Sequence, residues 1–314
     1  MTRTYTPATR LDDDLWLLDL NFQGEPGVIA SYLIAGPHGH TLIETGPGST
    51  LNALERAVSA TGARLEDVTQ LLVTHIHLDH AGAAGALLRR VPEARLLVHP
   101  VGATHMIDPS RLIRSATRIY GDRMDRLWGA FEPCPPERVT LLADGQIVTC
   151  GARTLRALHT PGHAWHHIAF HDASGDSLFT GDVGGVRIPG AHIVRPPTPP
   201  PDIDVEAWHA SIDRMLALAP KYLLMTHFGR FDDPARHLGE LRRRLDEWTE
   251  WVRQRLELGD DADAITQLLR ERNDADVLRD AGDPSLAVAY ELATPSRMTV
   301  DGLARYLTKR YPRP

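Results

Sequence analysis

Cysteine is scarce: 314 residues hold only Cys134 and Cys150. Two isolated cysteines make neither a disulfide framework nor a Cys-x-x-Cys metal site, and they suit a reducing compartment. Both read as packing or surface residues. No run reaches the roughly 20 apolar residues of a membrane span. The opening MTRTYTPATRLDDD has no apolar stretch, so no signal peptide and a cytoplasmic location are expected. An excess of positive charge is also missing. The net charge is −7 and the pI near 6.1, which argues against nucleic acid as a partner. The local basic run LRRRLDEWTEWVRQRL (241–256) reads as the solvated face of an amphipathic helix. What is present is ordinary for a globular chain. Hydrophobic residues make up 42%, charged residues 24% and aromatics 6%, enough for one large domain or a domain with an appendage.

Three strands are expected over residues 14–46, in DLWLLDLNF, GVIASYLIAG and HTLIETG, separated by Gly, Pro and His-Gly breaks. STLNALERAVSATG (49–62) predicts a helix, with Ser/Thr at its start and Gly at its stop. A buried strand over 68–75, a small-residue helix over 81–91 and a strand over 94–100 follow. The alternation implies an α/β fold. Residues 101–130 predict helix and 138–182 a strand meander with DG, CG and SGD turns. A helix is expected over 205–220 and a strand over 221–227. This order suits two sheets face to face with helices outside, an αββα sandwich, although periodicity alone does not separate it from other α/β layouts. Helices at about 233–258, 262–272 and 298–310 predict a helical C-terminal extension. The Pro-rich stretch VRIPGAHIVRPPTPPPDI (186–203) predicts a stiff, ordered surface loop.

The chemistry concentrates in LLVTHIHLDHAG (71–82). His75 and His77 lie two apart, so on extended backbone they point the same way. Asp79 and His80 fall where the chain turns into the next helix. One pair can serve one metal and the other pair a second. Neutral imidazole and carboxylate are the ligands of zinc and iron-type ions, and such crowding at a strand's end has no comparable structural explanation. Four residues do not fill two sites. Three more ligand types stand at the ends of apolar runs: His163 in LRALHTPGHAWHH, Asp182 in SLFTGDVGG and His227 in YLLMTHFG. Gly181 would let the backbone approach closely before Asp182, and strand ends on one rim are natural places for a shared site.

The motifs HxHxDH (75–80), TPGH (160–163), TGD (180–182) and THFG (226–229), in that order, resemble the metallo-β-lactamase-fold hydrolase superfamily over residues 14–229. The resemblance implies a catalytic domain over 1–232 followed by the extension over 233–314. It implies one metal held by His75, His77 and His163, a second held by Asp79, His80 and His227, and Asp182 bridging them. The oxygen-reducing di-iron branch has an acidic residue where this chain has His77, which argues against that branch.

Two divalent ions so placed would share a water and bring its pKa toward neutrality. Asp79 would orient the resulting hydroxide and pass a proton to the leaving group. Zinc is the first choice of metal, with iron or manganese as alternatives. His167, four residues past His163, is a candidate for hydrogen bonding to a ligand. His99, His105, His159, His166 and His171 read as packing residues. His38, His40, His192, His209 and His237 read as surface or loop residues. Trp165, Arg187, Arg195 and Tyr120 are candidates for lining a substrate pocket, the arginines for an anionic group. No tyrosine closely follows Asp182, unlike in lactonases of this fold. The opening RLDDDLWLL, GDVGG and the helical tail look more like the thioesterase-like proteins of alkylquinolone response, with glyoxalase II as a further likeness. A small-molecule thioester or other acyl ester is therefore the expected substrate. The alternatives are a lactone, a small phosphodiester, or a regulatory role in which the tail binds a partner or forms a homodimer.

Overall fold

The computed structural model describes residues 4–310. The outer ends of the two expected domains, 1–3 and 311–314, lie outside the described residues. A seven-stranded sheet takes its strands in sequence order: β1 (Ala8–Arg10), β2 (Leu15–Asp19), β3 (Ala30–Ile34), β4 (His40–Ile43), β5 (Val68–Leu72), β6 (Arg95–Val98) and β7 (Val139–Leu141). A six-stranded sheet holds β8 (Ile147–Cys150), β9 (Arg153–His159), β10 (Ile168–Asp172), β11 (Ser177–Phe179), β12 (Tyr222–Met225) and β13 (Gly229–Phe231) in reverse order. The helices are α1 (Leu51–Ala60), α2 (Leu78–Ala81), α3 (Ala84–Arg90), α4 (Pro100–Ile107), α5 (Ser110–Tyr120), α6 (Met124–Trp128), α7 (Val205–Ala217), α8 (Pro234–Glu257), α9 (Ala262–Ala281), α10 (Leu286–Ala293) and α11 (Ser296–Arg310).

Strand alternation produces the layers. In β2, Leu15 and Leu17 face the second sheet, while Trp16 and Leu18 face helices. Tyr32, Ile43 and Leu72 meet Ala157, Phe170, Phe179 and Leu224 in the middle layer. Leu54, Val58 and Leu87 cover the outer face of the first sheet. Trp208, Ile212 and Met215 cover the second, and Leu241, Leu245 and Trp248 of α8 join the same core. The architecture is the expected αββα sandwich, with the C-terminal helices packed on its second face.

Several local expectations differ from the structure. The meander is split: β7 pairs in parallel with β6, while β8 to β11 build the other sheet. Strands β1 and β13 went unread because each is only three residues long and carries an arginine. Helix α9 runs on to Ala281 and α10 is additional. The Pro-rich stretch is no surface loop. Residues 193–198 are all buried, and Val186 pairs with Arg195 in an isolated bridge. Its apolar residues Val186, Ile188, Ala191 and Ile193 pack with Leu286, Ala289 and Tyr290 of α10. His237, expected on the surface, is fully buried and donates from Nε2 to the Gly184 carbonyl. Its apolar neighbours on α8 carry it inward. Both cysteines are buried, and burial pushes each thiol up to about 12. No helix among the described residues is long and apolar enough to cross a membrane.

Candidate metal centre

The chain leaves β5 at Leu72 and turns into α2, so that His75, His77, Asp79 and His80 crowd at the sheet's rim. The His75 and His77 rings lie 4.5 Å apart, and those of His75 and His80 4.0 Å. His163 arrives from the turn after β9. Gly162 has φ +140°, and a Cβ on it would stand 2.4 Å from the Trp208 backbone, so glycine is what lets this turn close on α7. Asp182 arrives from a 3-10 turn after β11. Gly181 has φ +50°, and a Cβ there would meet Thr74 Oγ1 at 2.5 Å and His167 Nε2 at 2.6 Å. His227 follows β12.

Seven side chains converge in two groups: His75, His77, His163 and Asp182; and Asp79, His80 and His227. Asp182 faces both. Its Oδ2 is 3.2 Å from His163 Nε2 and 3.9 Å from His75 Nε2. Its Oδ1 is 3.1 Å from His80 Nε2 and 3.4 Å from His227 Nε2. Asp79 Oδ2 lies 3.4 Å from His227 Nε2 and 3.8 Å from His80 Nε2.

Four of the five imidazoles are gripped from behind. His163 Nδ1 donates to the Pro197 carbonyl at 2.7 Å, and His227 Nδ1 to the Val28 carbonyl at 2.8 Å. His80 Nδ1 meets Glu44 Oε1 at 3.0 Å, and His75 Nδ1 meets Thr74 Oγ1 at 3.1 Å. With the proton held at Nδ1, the Nε2 lone pair points into the cluster, the tautomer a metal ligand needs. His77 instead presents Nδ1, 3.0 Å from His75 Nε2 and 2.9 Å from His163 Nε2. His80 Nε2, His227 Nε2 and Asp182 Oδ1 are buried without hydrogen-bond partners. Buried polar atoms are ordinarily satisfied. This donor set, hard and borderline nitrogens with carboxylate oxygens, therefore fits divalent metal ions.

The electrostatics divide the same way. Burial and neighbouring imidazoles hold His75 well below the ordinary histidine value. Burial, then His163, takes His77 down to about 3. Burial also opposes charge on His80, but Asp182, Glu44 and Asp79 outweigh it and raise its pKa well above normal. His227 is raised against its burial by Asp182 and Asp79. Burial favours the neutral acid at Asp79, but His80 and His227 bring it down to about 2. One group is a nest of neutral imidazoles and the other a carboxylate-rich pocket.

Glu44 escaped the sequence reading. It is buried, sits at φ +64° and binds Thr74 Oγ1, the Thr74 amide and His80. A non-glycine residue in the left-handed region costs of order 1–3 kcal/mol and concentrates at functional sites. The signal was available: TLIETG places an acid at the end of a buried strand, like the residues that were singled out. His167 meets Thr160 Oγ1 through Nδ1 and accepts from the Val183 amide at Nε2, and its ring lies 5.2 Å from that of His75. It braces the turn of Asp182 and not a cluster residue directly.

The four pocket candidates separate. Arg187 is buried, paired with Asp233 and laid over Phe231. Arg195 is 1% exposed, lies over Tyr290 and donates to the Asn273 carbonyl. Neither guanidinium faces solvent: Arg187 is tied to Asp233 at the start of α8, and Arg195 is enclosed against α9 and α10. Trp165 is 54% exposed beside His163 and His166. Tyr120 is close enough to feel the Asp79 charge, and burial, with that charge, pushes its phenol above its normal range. It packs on Trp128, which stacks on Phe22.

The sequence profile of the metallo-beta-lactamase superfamily matches residues 24–227. A metallo-beta-lactamase fold-containing protein of Sulfurisphaera tokodaii is 28% identical over 65% of this chain and 74% of its own length. An atrochrysone carboxyl ACP thioesterase of Aspergillus fumigatus is 27% identical over 51% of this chain. A hydroxyacylglutathione hydrolase of Aeromonas salmonicida is 28% identical, also over 51% of this chain. The chain spans 42% and 51% of the lengths of these last two. In fold, a metallo-beta-lactamase family protein of Thermus thermophilus superposes with a TM-score of 0.69 at 21% identity, covering 96% of this chain and 95% of its own. With the superfamily profile spanning both imidazole–carboxylate groups, from before Val28 to His227, the chain belongs to the metallo-beta-lactamase superfamily.

Proposed function

We propose that this chain is a metal-dependent hydrolase of a small-molecule thioester or related acyl ester. The observation that carries the metal part is the placement of Asp182, one oxygen toward each histidine group. His75, His77 and His163 would hold one divalent ion and Asp79, His80 and His227 a second, with Asp182 touching both. Zinc is the proposed ion, with iron and manganese as alternatives. Such ions supply Lewis-acid polarisation of an acyl carbonyl and activation of water.

The remaining work falls to the chain's own side chains. The Asp79 side chain is 21% exposed, whereas those of His75, His80, His163, Asp182 and His227 are 5% exposed or less. Asp79 therefore stands at the open side of the cluster, where a carboxylate can orient the attacking water and hand its proton to the leaving group. A thiolate leaves more readily than an alkoxide, so one carboxylate suffices as proton carrier. Tyr120, half-buried near Asp79 and packed on the buried Trp128, and the exposed Trp165 near His163 offer aromatic surface that suits an apolar acyl group. The names of the thioesterase and hydroxyacylglutathione hydrolase relatives support the choice of bond.

The test is a panel of acyl-CoA thioesters, glutathione thioesters, lactones, phosphodiesters and β-lactams, offered to the full chain loaded with zinc, manganese or iron. Thioester turnover that is lost on chelation and restored by metal is expected. Turnover confined to lactones or phosphodiesters would move the bond, and full activity of metal-free protein would sink the mechanism.

A further inference from the structure

His163 is held by a carbonyl that belongs neither to its own turn nor to a sheet. Pro197 lies in the Pro-rich segment, whose only strand-like pairing is Val186 with Arg195. The position of that segment is set by the C-terminal helices. Tyr290 Oη on α10 donates to the Ile193 carbonyl at 2.6 Å and accepts from the Ile188 amide at 3.3 Å. Arg195 donates to the Asn273 carbonyl of α9 at 2.8 Å. Asp280 at the end of α9 accepts from the His192 amide at 2.6 Å. Gly302 of α11 stands against the two residues that follow Pro197. A Cβ on Gly302 would lie 1.9 Å from the Thr198 carbonyl oxygen and 2.9 Å from the Pro199 carbonyl carbon. These are backbone atoms, so no side chain can swing aside, and a methyl must displace the segment or the helix.

We propose that the C-terminal helices are a positioning element for the metal group that contains His163. The missing side chain of Gly302 fixes Thr198 and Pro199, and the adjoining Pro197 carbonyl in turn fixes the His163 imidazole. If the carbonyl retreats, Nδ1–H loses its acceptor and the lone pair at Nε2 is no longer locked toward its partners. Losing such an outer partner costs metal affinity roughly 10–100-fold. This rests on the metal-binding reading above and does not depend on which bond is cut.

The test uses full-length chain stripped by chelation and titrated with zinc in competition with a chromophoric chelator, and in parallel with cobalt(II) for its absorption spectrum. Gly302→Ala and Gly302→Val should weaken one of the two ions by roughly 10–100-fold and leave the other unchanged. The cobalt bands that change should be those that change in His163→Gln. Leu307→Ala, on the same helix in the core it shares with α7, α8 and α9, loosens the tail without adding an atom against Thr198 and Pro199. It should lower the melting temperature and leave both affinities intact. Should the valine variant fail to fold, the alanine variant carries the comparison. Unchanged affinity for both ions in the Gly302 variants, equal weakening in Leu307→Ala, or a wild-type chain that takes up no divalent ion would each overturn the proposal. A chain that binds two ions as expected but cleaves no thioester would tell against the hydrolase reading alone.

Discussion

The two halves of the metal centre are held in different ways. His75, His77, Asp79 and His80 come from six consecutive positions that run from the turn after β5 into α2, with Glu44 and Thr74 of the same sheet layer behind them. His163, Asp182 and His227 come from three loops more than 60 residues apart end to end, and their supports lie elsewhere. Pro197 holds His163, and Val28 holds His227. His237 of α8 grips Gly184 behind Asp182, and the Arg187 amide donates to the His227 carbonyl at 2.6 Å. The first half is a local motif on a rigid sheet. The second is an assembled one, whose precision depends on packing of the tail. Sites built on sheets and helices are positioned more tightly than sites on loops, so here helices supply what the loops lack.

The sharpest break is expected at Asp182, the residue of the assembled half that faces both metal groups. Asp182→Ala should abolish binding of one ion and reduce turnover well beyond the roughly 10–100-fold expected for an outer partner, as read by metal analysis and steady-state rates. Activity within tenfold of wild type would remove Asp182 from its role. Next in size is Arg153→Met, away from the cluster. Arg153 joins Asp14 and the fully buried Asp172 through 2.8–3.0 Å contacts. Asp172 would keep its hydrogen bonds from Ser174 and the Gly175 amide but lose its cation, which should cost up to about 3–5 kcal/mol of stability in chemical denaturation, while zinc affinity stays put. A change in affinity would mean that the two sheets shift together.

His237 sharpens the tail's side of the comparison through pH. Burial takes this histidine down to about 4 in the folded chain, against about 6.5 unfolded. A depressed histidine pKa means that the unfolded state binds the extra proton between those values. Its contribution is therefore fully present above about pH 6.5 and lost as pH falls toward 4. Relative to His237→Gln, the wild type should lose up to about 3 kcal/mol across that window. Parallel pH profiles for the two proteins would show that His237 is not the titrating group. The smallest effect is expected at Glu44→Gln, which keeps the shape and the Thr74 contact but removes the charge facing His80. The affinity of the Asp79–His80–His227 group should fall by roughly 10–100-fold, with the His163 group unaffected. If both ions weaken equally, the halves are not independent.

What was legible in the sequence follows this division. HxHxDH announces itself because its ligands are nearly consecutive, and the strands around it read as short buried apolar runs. The three scattered residues were legible only as polar groups at the ends of apolar runs, and their assembly came from resemblance. Glu44 was missed although it obeys the same rule, because a lone acid carries no spacing signal. Arg187 and Arg195 were misjudged because charge suggests exposure, while Phe231, Tyr290 and Asp233, which cover or pair them, are 44 or more residues away. The same distance hid the buried course of the Pro-rich segment: proline predicts stiffness but not what lies on top of it.

The sequential order of β1 to β7 has a consequence in time. Each strand of that sheet pairs with the one synthesised just before it, so the layer can form while the rest of the chain is still being made. His163 has no fixed acceptor until Gly302 has emerged and α11 has docked. On a ribosome, the HxHxDH half would be ready more than a hundred residues before the site can close. Metal uptake should therefore be among the last events of biogenesis, and a nascent chain stalled short of residue 302 should be folded in its first layer yet unable to retain both ions.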